Sequence, residues 1–188
     1  MTPASAERAA SVLRSGGVVL VPTETVVGLV AAEAGALNGI KGSDPGKPLA
    51  LLCASAEEAL GLADDLPPLA RRLADRYWPG PLTLVLDRRG GGTVGVRVPG
   101  GAVVDVLRAY GGALYATSAN PSGGPAPRSL DGVDQRVRAA VDLVVEGEPG
   151  SGEASAVVDL SGGQTRLLRA TEDLTEESLR RIAEDAAR

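Results

Sequence analysis

The apolar positions of this 188-residue chain fall into short β-branched or leucine-rich runs, separated by stretches of helical spacing and by glycine and proline turns. Thr2 before Pro3 has the form of an N-cap with proline at the first helical position. The helix it opens buries Ala9, Val12 and Leu13 before Gly16 and Gly17 end it. Every position of 18–21 is apolar, so this stretch reads as a strand buried on both faces. Residues 26–40 are small, apolar and interrupted by Gly28, Gly35 and Gly39, which predicts only a short, weak helix. A loop over 41–48 leads into a strand over 49–53. Ser55 and Glu58 have the spacing of a capping box and open a helix to about Leu62. Pro67 or Pro68 opens another, with Leu69 and Leu73 on its buried face.

In the second half, strands over 82–86 and 93–98 flank a hairpin loop at 88–92. Period-two alternation puts Thr93, Gly95 and Arg97 on one face and Val94, Val96 and Val98 on the other. A helix over 103–110 and an apolar run over 113–116 precede Thr117, Ser118 and Asn120, three small polar side chains where a strand ends. The prolines and glycines of 121–127 forbid regular structure after them. A helix near 133–141, a strand over 142–146, and strands over 155–160 and 165–169 joined at Ser161, Gly162 and Gly163 follow. The last helix is capped by Thr175, with Leu174 and Leu179 placed as a hydrophobic staple. No repeat, low-complexity segment or linker interrupts 1–188, which reads as one mixed α/β domain.

Composition narrows the chemistry. The chain has no histidine and one cysteine, Cys53, which excludes Ser-His-Asp and Cys-His nucleophiles, an internal disulfide and a cysteine zinc cluster. Carboxylates, hydroxyls, Lys, Arg, backbone groups and hard cations remain. A net charge of −5 argues against wholesale coating by nucleic acid, and the few aromatics argue against a base-stacking platform. Apolar runs are too short to span a bilayer and the N-terminus has a helical, mixed-charge pattern, so a cytoplasmic protein is expected. Of nineteen basic residues only Lys41 and Lys47 are lysines, both in one loop, where a compact point charge suits a phosphate.

Several side chains stand out as candidates. Thr23 and Thr25 alternate with Glu24 where the first strand stops, so their hydroxyls can share one side, either as caps of a turn or as ligands. Arg97, beside Gly95 and Thr93, is either an anion site or an exposed sheet arginine. The stretch 117–127 is either a surface turn or a polar binding loop.

Ordered stretches of the chain resemble one family. P-T-E-T-V-V-G-L (22–29), K-G-S-D-P-G-K-P-L (41–49), W-P-G-P-L-T (78–83), T-V-G-V-R-V-P (93–99) and T-S-A-N-P-S-G (117–123), followed by S-A-V-V-D and L-L-R, are similar to the YrdC-type threonylcarbamoyl-AMP synthases. The resemblance implies an α/β fold with a single, twisted mixed parallel and antiparallel sheet, flanking helices and a concave ligand cavity. It also implies an enzyme that makes threonylcarbamoyl-adenylate from L-threonine, bicarbonate and ATP, with Mg²⁺ and no tightly bound cofactor or protein-held metal. By motif, Thr25, Arg97, Ser155 and the backbone near Ala116 would hold threonine, with Arg97 on its carboxylate. Lys41, Thr93, Ser118 and Arg169 would contact ATP, with Lys41 and Arg97 as the catalytic pair and Thr23, Lys47 and Asn120 in support. The implied partners beyond the substrates are tRNA or double-stranded RNA and proteins of tRNA modification, with no membrane.

The chain departs from the family pattern in places. Ser43 stands at the arginine of the usual K-x-R, Val27 at a usual Tyr, Ala126 at a usual Ser and Ala156 at a usual Thr, and the segment before Lys41 is short. These departures motivate two alternatives: a paralogue that binds nucleotide or double-stranded RNA without the synthesis, and carbamoyl-adenylate chemistry on another acceptor.

Overall fold

The computed structural model describes residues 1–41 and 49–186, so Ser43 and Lys47 lie outside the described residues. Nine strands among the described residues form one mixed sheet in the order β7-β1-β2-β6-β3-β5-β4-β8-β9. The strands are β1 (Val18–Pro22), β2 (Val27–Ala31), β3 (Ala50–Leu52), β4 (Leu82–Asp87), β5 (Thr93–Arg97), β6 (Leu114–Ser118), β7 (Leu143–Val144), β8 (Ala156–Asp159) and β9 (Arg166–Arg169). Pairs β1–β7, β3–β5 and β4–β8 are parallel, and the other neighbours are antiparallel.

The helices are α1 (Pro3–Arg14), α2 (Ala34–Lys41), α3 (Ala56–Gly61), α4 (Pro68–Tyr77), α5 (Val103–Tyr110), α6 (Gln135–Ala139) and α7 (Glu176–Ala186). Their starts follow local chemistry. The Thr2 hydroxyl accepts from the Ser5 amide, that of Ser55 from Glu58, and that of Thr175 from Ser178. Glu58 reaches one residue further back than a capping box requires and accepts from the Ala54 amide at 2.8 Å. None of the helices among the described residues is long and apolar enough to cross a membrane.

Residues 26–40 depart from the expected weak helix, because β2 precedes α2 there. All five residues of β2 are buried, so no alternation marks the strand in the sequence. Thr117 and Ser118 complete β6 rather than beginning the turn.

The two halves of the sheet are covered differently, and this makes the site. Around β1 and β2, α1 and α5 cover one face and α2 and α6 the other. Across β5, β4 and β8, α3, α4 and α7 cover only the face carrying Val94, Val96, Leu84 and Val158. The opposite face stays open and carries Thr93, Gly95 and Arg97, as the alternation predicts.

Candidate functional site

The open face is the floor of a cleft of about 820 Å³. Its walls come from the turn after β1, the segment after β6, and the strap 145–155 that runs from β7 to β8. The strap is tied to the turn backbone. Ser151 donates to the Glu24 carbonyl at 2.9 Å and Gly152 to the Thr25 carbonyl at 2.8 Å. Gly150 lies so close that a Cβ there would fall 2.3 Å from the Thr25 carbonyl oxygen, so only glycine lets the strap cross at this point.

Thr23, Thr25, Lys41, Thr93, Arg97, Ala116, Ser118, Asn120, Ser155 and Arg169 all line this one cleft. The chain thus brings together every expected site residue among those described. The residues lining it include four basic side chains, Lys41, Arg88, Arg97 and Arg169, and no acidic one among the described residues. Arg97 is ion-paired with Glu24, which stands just behind the lining, and the remaining basic lining suits the cleft to anions in a chain of net charge −5.

Arg97 is buried, which settles its exposure against the sheet-surface reading. Its Nη2 donates to Glu24 Oε1 at 2.6 Å and Thr25 Oγ1 at 2.9 Å, and its Nε donates to the Gly80 carbonyl at 3.2 Å. Nη1 makes no hydrogen bond among the described residues. Glu24 Oε2 in turn accepts from the Gly100 amide at 2.8 Å. Simple alternation would send Glu24 away from the threonines, but the backbone turns there, with the Thr23 amide donating to the Val26 carbonyl. Glu24 is therefore a site residue that the sequence pattern missed.

The hydroxyl protons of the threonine pair can be assigned. Thr23 Oγ1 donates its one proton to the Val26 carbonyl at 2.8 Å and lies 2.8 Å from Thr25 Oγ1. Thr25 must then donate to Thr23, and what it offers a ligand beside Arg97 is a lone pair.

At β8, Ser155 Oγ and Thr83 Oγ1 are 3.0 Å apart and both residues are buried. Thr83, the lone hydroxyl of its strand, is the second residue that pattern alone did not assign. Arg169 Nη1 donates to the Ser155 carbonyl at 3.1 Å. Ala116 lies in the middle of β6, in register with Val30 on one side and Ala50 on the other. Its backbone groups run along the ladder, so a methyl is what it presents to the cleft.

Lys41, the last residue of α2, is buried. Its Nζ donates to the Ser118 carbonyl at 2.9 Å and to Thr117 Oγ1 at 3.1 Å. Asn120 holds the following turn by donating from Nδ2 to the carbonyls of Pro121 and Gly124. Its Oδ1 is buried with no hydrogen-bond partner among the described residues. Of the family departures, Ala126 lines the cleft, whereas Val27 and Ala156 are buried in hydrophobic clusters away from it.

The model of the Sua5/YciO/YrdC family, described as Telomere recombination, matches residues 11–171. A threonylcarbamoyl-AMP synthase of Pyrococcus abyssi is 36% identical over 86% of this chain and 52% of that protein. One from Stutzerimonas stutzeri is 35% identical over 84% of this chain and 94% of that protein. The crystal structure of P. abyssi Sua5 complexed with L-threonine superposes with a TM-score of 0.88 at 31% identity, over 97% of this chain and 58% of that one. The chain thus spans about half the length of its P. abyssi relative and nearly all of the S. stutzeri one. These matches show that the chain belongs to the Sua5/YciO/YrdC family.

Proposed function

We propose that the chain condenses L-threonine, bicarbonate and ATP into threonylcarbamoyl-adenylate, losing water as the threonine nitrogen bonds the bicarbonate carbon and pyrophosphate as the carbamate takes the adenylyl group, and that the product feeds threonylcarbamoyladenosine formation in tRNA. The observation that carries this reading is the meeting of Thr25, Arg97 and Ser155 with Lys41, Thr93, Ser118 and Arg169 in one cleft free of acidic lining residues among those described. The names of the relatives, and the threonine bound by P. abyssi Sua5, support it.

In this reading Arg97 takes the threonine carboxylate through Nη1, while Thr25 and Ser155 orient the amino acid. A carbamate oxygen on the threonine nitrogen attacks the α-phosphorus. The new P–O bond forms as the bond to pyrophosphate breaks, and the electron pair leaves on pyrophosphate. The attacking oxygen is already anionic, so no side-chain base is needed and a chain without histidine suffices. Lys41, Thr93, Ser118 and Arg169 position the phosphates and neutralise their charge.

No cluster of His, Cys, Asp and Glu among the described residues would hold a metal ion, and the oxygen donors of the cleft are hydroxyls and an amide. This donor set fits magnesium brought in on the phosphates, near Thr93 and Ser118, where the ion would neutralise charge on the leaving group. Downstream, tRNA or double-stranded RNA and proteins of tRNA modification are the proposed partners.

The test is release of pyrophosphate from ATP by the purified chain. Release that requires both threonine and bicarbonate is expected. ATP binding without such release would overturn the synthesis and favour a nucleotide-binding paralogue.

A further inference from the structure

Arg97 reaches the cleft with a partner already attached. Glu24 Oε1 accepts from its Nη2 at 2.6 Å, and Glu24 Oε2 accepts from the Gly100 amide at 2.8 Å. Arg88 and Arg169 line the same cleft, and neither is ion-paired with a carboxylate among the described residues. The arginines of one cleft are therefore of two kinds.

The difference is placed where a ligand meets it. The side chains of Arg97 and Glu24 are only 9% and 26% exposed, so water and salt screen the carboxylate little. A ligand that takes the open Nη1 of Arg97 meets a guanidinium whose charge is already balanced. An amino acid brings one carboxylate, offset by its own ammonium group, and hydrogen bonds suffice to hold it. A phosphate dianion brings two negative charges and no ammonium, and Glu24 repels it accordingly.

The neighbours of residue 24 also specify a carboxylate there. Arg97 Nη2 and the Gly100 amide are both donors, so both oxygens of the side chain must accept. Glutamine has the same length but a single acceptor, and would turn an amide NH2 toward one of the two donors.

We propose that Glu24 determines the specificity of this arm of the cleft: it keeps phosphate groups off Arg97 and leaves Nη1 to the carboxylate of an amino acid. The inference rests on the threonine reading given above. That reading puts two substrates into one cleft, and a bare Arg97 would offer the phosphates of one a seat meant for the other.

Titration calorimetry of L-threonine, with and without inorganic phosphate at fixed ionic strength, tests this on the whole protein. Phosphate is expected to leave the threonine affinity of the parent unchanged and to weaken that of Glu24→Gln about tenfold. Glu24→Ala, neutral but with no amide to misplace, is expected to gain the same competition, and Glu24→Asp, which keeps the charge, to behave as the parent. Melting temperatures show whether each variant is folded. Phosphate competition in the parent overturns the proposal whatever the variants do. Neutral variants that lose stability without gaining competition also overturn it, and make Glu24 a structural ion pair only. Failure of the parent to bind threonine overturns the amino-acid reading of the arm instead. The exclusion is then read from phosphate binding alone, expected to be tighter in Glu24→Gln than in the parent and to be lost again when Arg97→Ala is added; equal phosphate affinity in parent and Glu24→Gln overturns the exclusion as well.

Discussion

One nitrogen of Arg97, Nη2, donates to both Glu24 at 2.6 Å and Thr25 at 2.9 Å. The guanidinium is thereby held on three sides by its own chain, counting Gly80, and its remaining nitrogen is the one left for a ligand. Lysine has a single compact head and cannot reproduce this fork. Arg97→Lys should therefore lower kcat/KM for threonine by about 100-fold or more, a loss of about 3 kcal/mol in transition-state binding. Arg97→Ala should in addition destabilise the fold by about 3 kcal/mol, since Glu24 loses its partner; denaturant unfolding reads this directly. Full activity in Arg97→Lys would show that the fork is not used.

Two glycines separate the fold from the cleft. At Gly95 an added Cβ would sit 3.7 Å from Ala50 Cα and Thr83 Cγ2, ordinary contact, yet it would project from the cleft floor. Gly95→Ala should melt within a few degrees of the parent while raising KM for threonine or ATP several-fold. At Gly150 the same methyl would strike the Thr25 carbonyl. Gly150→Ala should therefore lower the melting temperature and the activity together, and a variant that lost activity alone would contradict this.

Asp159 supplies a pH signature remote from the cleft. Burial raises its pKa, but hydrogen bonds from the hydroxyl and amide of Ser161 and the guanidinium of Arg166 more than offset this, and the net shift is downward from 3.8. A carboxyl with a lowered folded pKa stabilises the fold above its unfolded value and loses that contribution as pH falls through the folded one. Asp159→Asn should then be less stable than the parent at neutral pH, with the difference closing in acid below about pH 3.8. A difference independent of pH would place the effect in packing.

Cys53 is fully buried, and burial, with Glu58 nearby, pushes its thiol up to about 12 from an ordinary 9.0. The folded state therefore prefers the neutral thiol. That preference is complete below pH 9.0 and is lost as pH rises toward about 12. Disulfide reagents at pH 8 should label the unfolded chain at once and the native protein only at its unfolding rate. Rapid labelling of the native protein would contradict the burial.

Legibility in the sequence followed periodicity. The 103–110 helix matches α5 residue for residue, and the faces of β5 followed from strict alternation. Strand β2 was hidden because both of its faces are covered, and a continuous apolar run with a glycine carries no period. The helix near 133–141 and the strand over 142–146 shrink to α6 and a two-residue β7. For the candidate site, motif order singled out Thr25, Arg97 and Ser155, but only tertiary structure brings residues so far apart in sequence into one cleft. Glu24 was lost to the assumption of an extended backbone. The expected support from Lys47 and the loss of an arginine at Ser43 fall outside the described residues.

The strap over 145–155 has a mechanical meaning. It begins on the β1 edge, where Val145 donates to the Leu20 carbonyl, and ends on β8, where Ala156 donates to the Pro81 carbonyl. Midway it is stitched to the backbone of Glu24 and Thr25. Lifting the strap from the turn would break the hydrogen bonds of the Ser151 and Gly152 amides. Exchange of those two protons with solvent therefore measures how firmly the strap is held on the turn that carries Thr25.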